Sequence, residues 1–174
     1  MEISTIILGA CGGALSNFLL RIWQYRRDYW FSRVDYFCKT LEVASELAIN
    51  YWCKEVSKNG NLQNREEDKK NEIKILAIQM LLDGMLETFI SKFNIENQES
   101  IMKSMANLNS AMTGGDFQTS SLRTADYNRA RDVSSCCSNI LILVRKASDE
   151  VILSFSVIEN IKKRMAEVKK IKSD

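Results

Sequence analysis

One loop of the sequence carries residues that could hold an anion. Gly114 and Gly115 stand side by side in the run Thr113–Thr124, where they free the backbone to turn its N–H groups toward a ligand. The loop leads into the start of a predicted helix, a position that favours negative charge. The predicted ligand-binding residues of this region are Gly114, Gly115, Asp116, Arg123 and Arg129.

The same loop is also explained as a tight connection between two helices. Asp116 would then cap its own backbone, and the arginines after the loop would pair with Asp126 and Asp132. A pair of glycines alone is not a phosphate-binding motif, so the sequence favours this structural interpretation over a phosphate or nucleotide site.

Two pairs of carboxylates could bind a divalent metal. Glu42 and Glu46 share one helix face, and Asp83 and Glu87 share another. If the four converged, magnesium or manganese would accept their oxygens, and a metal-dependent phosphohydrolase is the alternative function that follows. Such pairs are more often ordinary solvated helix surface. We therefore expect no catalytic residue, no metal and no cofactor.

Composition narrows the chemistry further. The sequence has no histidine, which removes the commonest general base and metal ligand. Its five cysteines form no C-x-x-C pair and are expected to be small buried hydrophobes in a reducing compartment. The net charge of +2 does not indicate a nucleic-acid partner.

The first part of the chain resembles a membrane anchor in its charge pattern. No charge occurs from Ile3 to Leu20, about 27 Å of helix and just enough for a hydrocarbon core. No basic residue precedes this run, which argues against a secretion signal. A helix buried in a soluble bundle is the other interpretation. The predicted membrane-interface residues, aromatic or basic, are Arg21, Trp23, Tyr25, Arg26, Arg27 and Trp30.

The arginines after the run predict an orientation in the cell membrane. They place the N-terminus outside and the remaining chain in the cytoplasm. Small and polar residues in the run favour close packing of two such helices, so membrane lipid and a second copy of the chain are expected partners. The predicted packing residues are Gly9, Gly13, Ser16 and Asn17.

Residues 28–174 are predicted to form a cytoplasmic helical bundle, and residues 1–27 the anchor. The absence of proline favours long helices, and the first amphipathic face follows the anchor without a hinge. A helix over Glu66–Phe93 is apolar nearly all round, which predicts a central position. A short helix capped by Asn97 comes next. The first face consists of Val34, Phe37, Cys38, Leu41, Ala44, Ala48 and Trp52.

The last part of the chain has the most regular apolar spacing. A seam from Ala130 to Val168 recurs in steps of three and four. This helix either continues and projects as a coiled coil or breaks at Ser148-Asp149-Glu150, and the helix-start signal there favours the break. The basic end could contact anionic lipid or simply complement the helix dipole. Its basic residues are Lys162, Lys163, Arg164, Lys169, Lys170 and Lys172.

The sequence thus predicts an all-α protein: a single N-terminal transmembrane helix followed by a cytoplasmic antiparallel bundle of four to five helices. The expected function is that of an oligomeric anchor, adaptor or membrane effector that responds to a protein partner or ligand. A soluble helical-bundle interaction protein and the phosphohydrolase remain the alternatives.

Overall fold

A computed structural model describes residues 3–55, 62–118 and 123–154, with only the backbone described for 3–12, 62–65 and 154. It contains four helices, α1 (Ile3–Cys53), α2 (Leu62–Ile90), α3 (Ile95–Thr113) and α4 (Tyr127–Ser154), and no strand element within those ranges. The all-α prediction is confirmed. The prediction that α1 runs from the N-terminal segment into the bundle without a hinge is also confirmed.

The chain divides into two compact units. One unit is Val34–Ser148, and the other draws on Met1–Arg33 and Asp149–Asp174. The division falls within α1 and within α4, each of which is a continuous helix at that position. The boundary predicted between residues 27 and 28 stays a prediction.

Four helices close the core of the unit Val34–Ser148. The ring of Phe37 on α1 meets Phe89 on α2 edge to face, with centroids 5.3 Å apart. Gln79 of α2 donates to the carbonyl of Asn109 on α3 at 3.3 Å, and Asn139 of α4 donates to Ser104 on α3 at 3.0 Å. The predicted α1 face is buried throughout, which confirms it: Val34, Phe37, Cys38, Leu41, Ala44, Ala48 and Trp52.

The seam of α4 is buried along its described length, as predicted, but the break at Ser148 is wrong. The helix continues to Ser154, and Ser148 is only 2% exposed. Ser148 lies beside Ala147 on the buried side of the helix, and packing there overrides the local helix-start signal. The remainder of the seam and the basic end, residues 155–174, lie outside the described residues.

Helix α2 is not central. One face is buried against the bundle, and the opposite face is exposed, with Ile73 65% and Met80 76% exposed. The polar residue Gln79 also lies on the buried face, where its amide donates to the Asn109 carbonyl. The apolar residues on the two sides of α2 therefore form one face that is buried in the core and one face that the bundle does not cover. The buried apolar residues of α2 are Ile75, Leu82, Leu86 and Phe89.

The start of α3 differs from prediction by a few residues. Asn94, not Asn97, is the capping residue, and its side chain accepts a hydrogen bond from the Asn97 backbone N–H at 2.7 Å. The capping carboxamide satisfies one of the free N–H groups of the first turn.

Candidate functional site

The predicted ligand-binding residues gather where the α3–α4 loop meets the end of α1. Two arginines of this region stack on aromatic rings, and we call the group the arginine–aromatic cluster. Its members are Tyr51, Trp52, Phe117, Arg123 and Arg129.

The two glycines shape the loop locally. The Gly114 N–H donates to the Ser110 carbonyl at 2.8 Å and so closes the end of α3. Gly115 has φ +64°, in the left-handed region that favours glycine. A Cβ atom at Gly115 would lie 2.7 Å from Nη2 of Arg129. Gly115 thus uses the backbone freedom expected of a glycine, and the space that a side chain would enter is occupied by an arginine of the same site.

Arg123, one of the predicted ligand-binding residues, is buried. It is 5% exposed, and its guanidinium carbon lies 3.6 Å from the centroid of the Tyr51 ring. Its Nη2 is 3.4 Å from a carboxylate oxygen of Asp68 and also donates to the Lys54 carbonyl. Burial over an aromatic face strengthens the attraction of the cation to the ring. Asp68, rather than Asp126 or Asp132, is the partner of Arg123.

The Asp68 carboxylate continues this network toward α1. Lys54 lies 3.6 Å from the second oxygen of Asp68 and 3.1 Å from Glu67. That second Asp68 oxygen and Nε of Arg123 are buried without a hydrogen-bond partner. The network therefore buries the oppositely charged side chains of Arg123 and Asp68, and one polar atom of each remains without a hydrogen bond.

The Tyr51 hydroxyl is tied to α2. It donates to Glu72 at 2.8 Å. Burial and this hydrogen bond to Glu72 raise the pKa of Tyr51 from 10.0 to about 12, against the opposing charge of Arg123. Tyr51 is therefore neutral at physiological pH and acts as a hydrogen-bond donor and a stacking surface.

Arg129 is the more accessible of the two arginines. Its guanidinium lies 4.8 Å from the Trp52 ring centroid, donates to the Ser110 carbonyl at 3.2 Å and is 3.5 Å from Asp126. Asp126 also accepts the backbone N–H of Arg129 at 2.9 Å, which caps α4. The pairing of Arg129 with Asp126 predicted by the structural interpretation is confirmed.

A cavity of about 460 Å³ opens on the cluster. Its lining brings together Gly115, Asp116, Arg123 and Arg129 among the predicted residues, together with Trp52. Two arginines and two aspartates, Asp116 and Asp126, face the same space, so their formal charges balance. Both guanidinium groups already have partners within the protein, so an anion would have to compete with them. Binding of an anion at this cavity stays a prediction.

The predicted residues of the N-terminal segment are all on α1, in the other unit. Gly13, Ser16 and Asn17 are exposed, and no atom lies within 4 Å of where a Cβ at Gly13 would be. Gly9 lies in the part of α1 of which only the backbone is described. Of the predicted interface residues, Arg21, Tyr25 and Arg26 are exposed, Trp23 and Arg27 are half-buried, and Trp30 is buried.

The aromatic and basic residues of this segment contact one another. The Arg27 guanidinium lies 4.9 Å from the Trp23 ring centroid, and Tyr25 stacks on Tyr29 with centroids 6.5 Å apart. Across the part of α1 and the other helices that the structure describes, no stretch has both the length and the apolarity that a membrane crossing requires. The transmembrane part of the predicted fold class is thus without support.

The four carboxylates of the phosphohydrolase alternative do not form a metal site. Glu42, Glu46, Asp83 and Glu87 are all exposed. Within the described ranges, no group of three or more histidine, cysteine, aspartate or glutamate residues is arranged to hold a metal ion. The observation on which that alternative depended, convergence of these carboxylates, is not found.

The cysteines divide between core and surface. Cys38 and Cys137 are buried, as predicted, and burial raises the pKa of both thiols. Cys53 is exposed, so the prediction that it is buried is wrong, and Cys11 lies outside the described side chains.

Sequence reasoning missed Tyr51 and Phe117 of the cluster, and it missed Asp68, the ion-pair partner of Arg123. Tyr51 directly precedes Trp52 of the predicted face, so its burial could have been inferred from the end of that helix. Asp68 lies near the start of the helix predicted over Glu66–Phe93, and no local pattern links it to Arg123, which is 55 positions away.

Comparisons with protein-family models, with curated proteins and with solved structures give no match to this chain. A function must therefore be argued from the residues and contacts of the chain itself.

Proposed function

We propose that this protein is a non-enzymatic helical protein that attaches to the cell membrane through the first half of α1 and uses its bundle to bind a partner. One observation carries the proposal: every residue from Gly13 to Leu20 is exposed, although the run is rich in large apolar side chains. Leu15 is 62% and Phe18 60% exposed.

Exposed apolar surface of this kind is a candidate binding surface. A contiguous apolar patch costs free energy in water, and lipid or another apolar surface removes that cost. The residues of α1 that follow this run have the aromatic and basic character of a membrane interface. Arg27 lies over the Trp23 ring, and Tyr25 stacks on Tyr29. These two features together favour lipid as the partner of this segment.

The mode of attachment and the orientation belong to the same proposal. The helix inserts with its N-terminus outside and leaves the bundle in the cytoplasm, on the side of the arginines. Gly9 and Gly13 then allow two such helices to approach closely, and Asn17 supplies a hydrogen bond between them. The bundle acts as adaptor or effector in the membrane assembly.

The membrane attachment is tested by flotation of the full-length protein with anionic lipid vesicles and by carbonate extraction of membranes. We expect the protein to float with vesicles and to stay with membranes. Phe18→Lys should lower the bound fraction severalfold, since it places a charge within the apolar run. Met102→Lys on α3 is the matched control, because Met102 is 56% exposed and lies outside this segment.

Two outcomes contradict the proposal. Full-length protein that remains in the supernatant with no vesicle binding rules out attachment, and leaves the soluble interaction protein as the better function. Equal binding by wild type and Phe18→Lys shows that the first half of α1 is not the membrane contact.

A further inference from the structure

The outward face of α2 is an apolar surface that the bundle does not cover. Ile73 is 65%, Leu76 37%, Met80 76% and Leu81 46% exposed. Gly84 lies on the same side, with no atom within 4 Å of where its Cβ would be. This face is opposite the buried face of α2 and belongs wholly to the unit Val34–Ser148.

The residues along the centre of this face form pairs of complementary residues at equal distances from a midpoint between Ile78 and Gln79. They recur in steps of three and four, which places them in one stripe along the helix. Lys70 precedes the apolar part of the stripe and Glu87 follows it. A large apolar residue on one side of the midpoint corresponds to a small residue on the other. In chain order the stripe is Lys70, Ile73, Ala77, Met80, Gly84 and Glu87, all exposed.

We propose that a second copy of this chain covers the face, with the two α2 helices packed antiparallel about a two-fold axis between Ile78 and Gln79. This register makes the interface self-complementary, as two-fold symmetry demands. Met80 of each copy then packs over Ala77 of the other. Ile73 of each copy enters the space above Gly84 of the other, and Lys70 pairs with Glu87 at both ends.

The charges identify the occupant as a second copy. Opposite charges stand at opposite ends of the stripe, so an antiparallel copy brings unlike charges together at both ends, whereas a parallel copy brings like charges together. A lipid surface would have to accommodate the Glu87 carboxylate against anionic headgroups. The matched large and small residues also fit the antiparallel copy, because every layer pairs one with the other.

The expected dimer is weak in dilute solution. The stripe is one helix wide and about 26 Å long, which is at the small end of specific interfaces, so the Kd should be on the order of micromolar. This interface goes beyond the membrane proposal and does not depend on it, because α2 lies outside the N-terminal segment.

A charge-exchange experiment tests the interface in the full-length protein. Sedimentation velocity over a concentration series, in mild detergent, gives the dimer Kd for wild type, Lys70→Glu, Glu87→Lys and the double variant. Each single variant places like charges opposite each other at both ends, and we expect its Kd to rise about tenfold. The double variant should return the Kd to within about twofold of wild type. Within one chain the two residues are about 26 Å apart along α2, so only contact between copies explains such a recovery.

Two further variants probe the apolar layers. Gly84→Leu meets open space in the single chain and improves helix propensity, yet it blocks Ile73 of the second copy, so the dimer should be lost while the melting temperature holds or rises. Met80→Glu should also abolish the dimer. Met102→Glu and Lys103→Glu on α3 are the matched controls and should leave the Kd unchanged.

The α2 interface is overturned by a protein that stays monomeric over the whole series. It is equally overturned if the double charge exchange does not recover association, or if Gly84→Leu dimerises like wild type. Circular dichroism of each variant confirms that the helices remain folded. Self-association through the N-terminal segment alone would be insensitive to every α2 variant, so that result also counts against the α2 interface.

Discussion

Replacement of Arg123 by alanine should destabilise the protein strongly, which reverses the expectation for an exposed ligand-binding arginine. The side chains of Arg123 and Asp68 are 6% and 9% exposed, and their charged atoms lie 3.4 Å apart. Alanine leaves the Asp68 carboxylate buried without its main counter-charge. It also removes the guanidinium that lies 3.6 Å from the Tyr51 ring centroid.

The size of the effect follows from these contacts. Breaking a buried ion pair by removal of one partner costs about 3–5 kcal/mol, and a desolvated cation–π contact adds about 1–2 kcal/mol. Lys54 reduces the loss, because its ammonium group remains 3.6 Å from Asp68 and its side chain is partly solvated. We therefore expect the free energy of unfolding to fall by about 3 kcal/mol for Arg123→Ala.

Urea unfolding followed by tryptophan fluorescence measures this change, since Trp52 belongs to the arginine–aromatic cluster. Arg131→Ala is the control: Arg131 is exposed on α4, and its removal should change stability by less than about 0.5 kcal/mol. In a double-mutant cycle with Asp68→Asn, the coupling energy should be about 1–3 kcal/mol. A loss below about 1 kcal/mol for Arg123→Ala, with an unchanged urea slope, would refute a stabilising role for the buried pair of Arg123 and Asp68.

Two further changes probe the same region. Gly115→Val should lower stability by about 2 kcal/mol, because φ +64° disfavours a β-branched residue and its Cβ would lie 2.7 Å from Arg129. Gly84→Ala, which meets open space, should raise stability slightly. Equal effects of the two changes in thermal melting would contradict this expectation. Tyr51 should be the last tyrosine to ionise in an ultraviolet titration, near pH 12, and Tyr51→Phe should remove that step. Because the folded pKa is raised above the value of 10.0, Tyr51 adds stability that is present below pH 10 and is lost as the pH rises toward 12. A highest step that persists in Tyr51→Phe would assign it to another tyrosine.

The sequence alone was sufficient for the helices and for most of the core faces. Spacing of three and four identifies which side of α1 and α4 is buried, because an amphipathic helix must bury its apolar stripe. That is why Leu41 and Ile140, each 0% exposed, were on the predicted faces. Continuity of α1 was also predictable, since nothing in the sequence interrupts it.

What the sequence could not supply was the choice among apolar faces and among charge partners. Helix α2 has apolar residues on both sides, and the buried side is decided by α3, through the Asn109 carbonyl that receives Gln79. Arg123 could have paired with any nearby aspartate, but the fold brings Asp68 from a distant helix to it. Both outcomes depend on tertiary contacts that a local pattern does not contain.

The same contacts determine what the predicted ligand loop can do. The end of α1 is attached to both neighbouring helices of the loop. The Asp126 N–H before α4 donates to the Trp52 carbonyl at 2.8 Å, and the Trp52 indole donates to the Met112 carbonyl of α3 at 3.0 Å. An anion at this helix start would compete with the Asp126 carboxylate that already caps it. It would also have to draw Arg129 from the Ser110 carbonyl, since Arg123 is fixed by Asp68 and Tyr51. The loop therefore closes one end of the bundle, and an anion in the cavity would have to bind through Arg129 at the expense of these contacts.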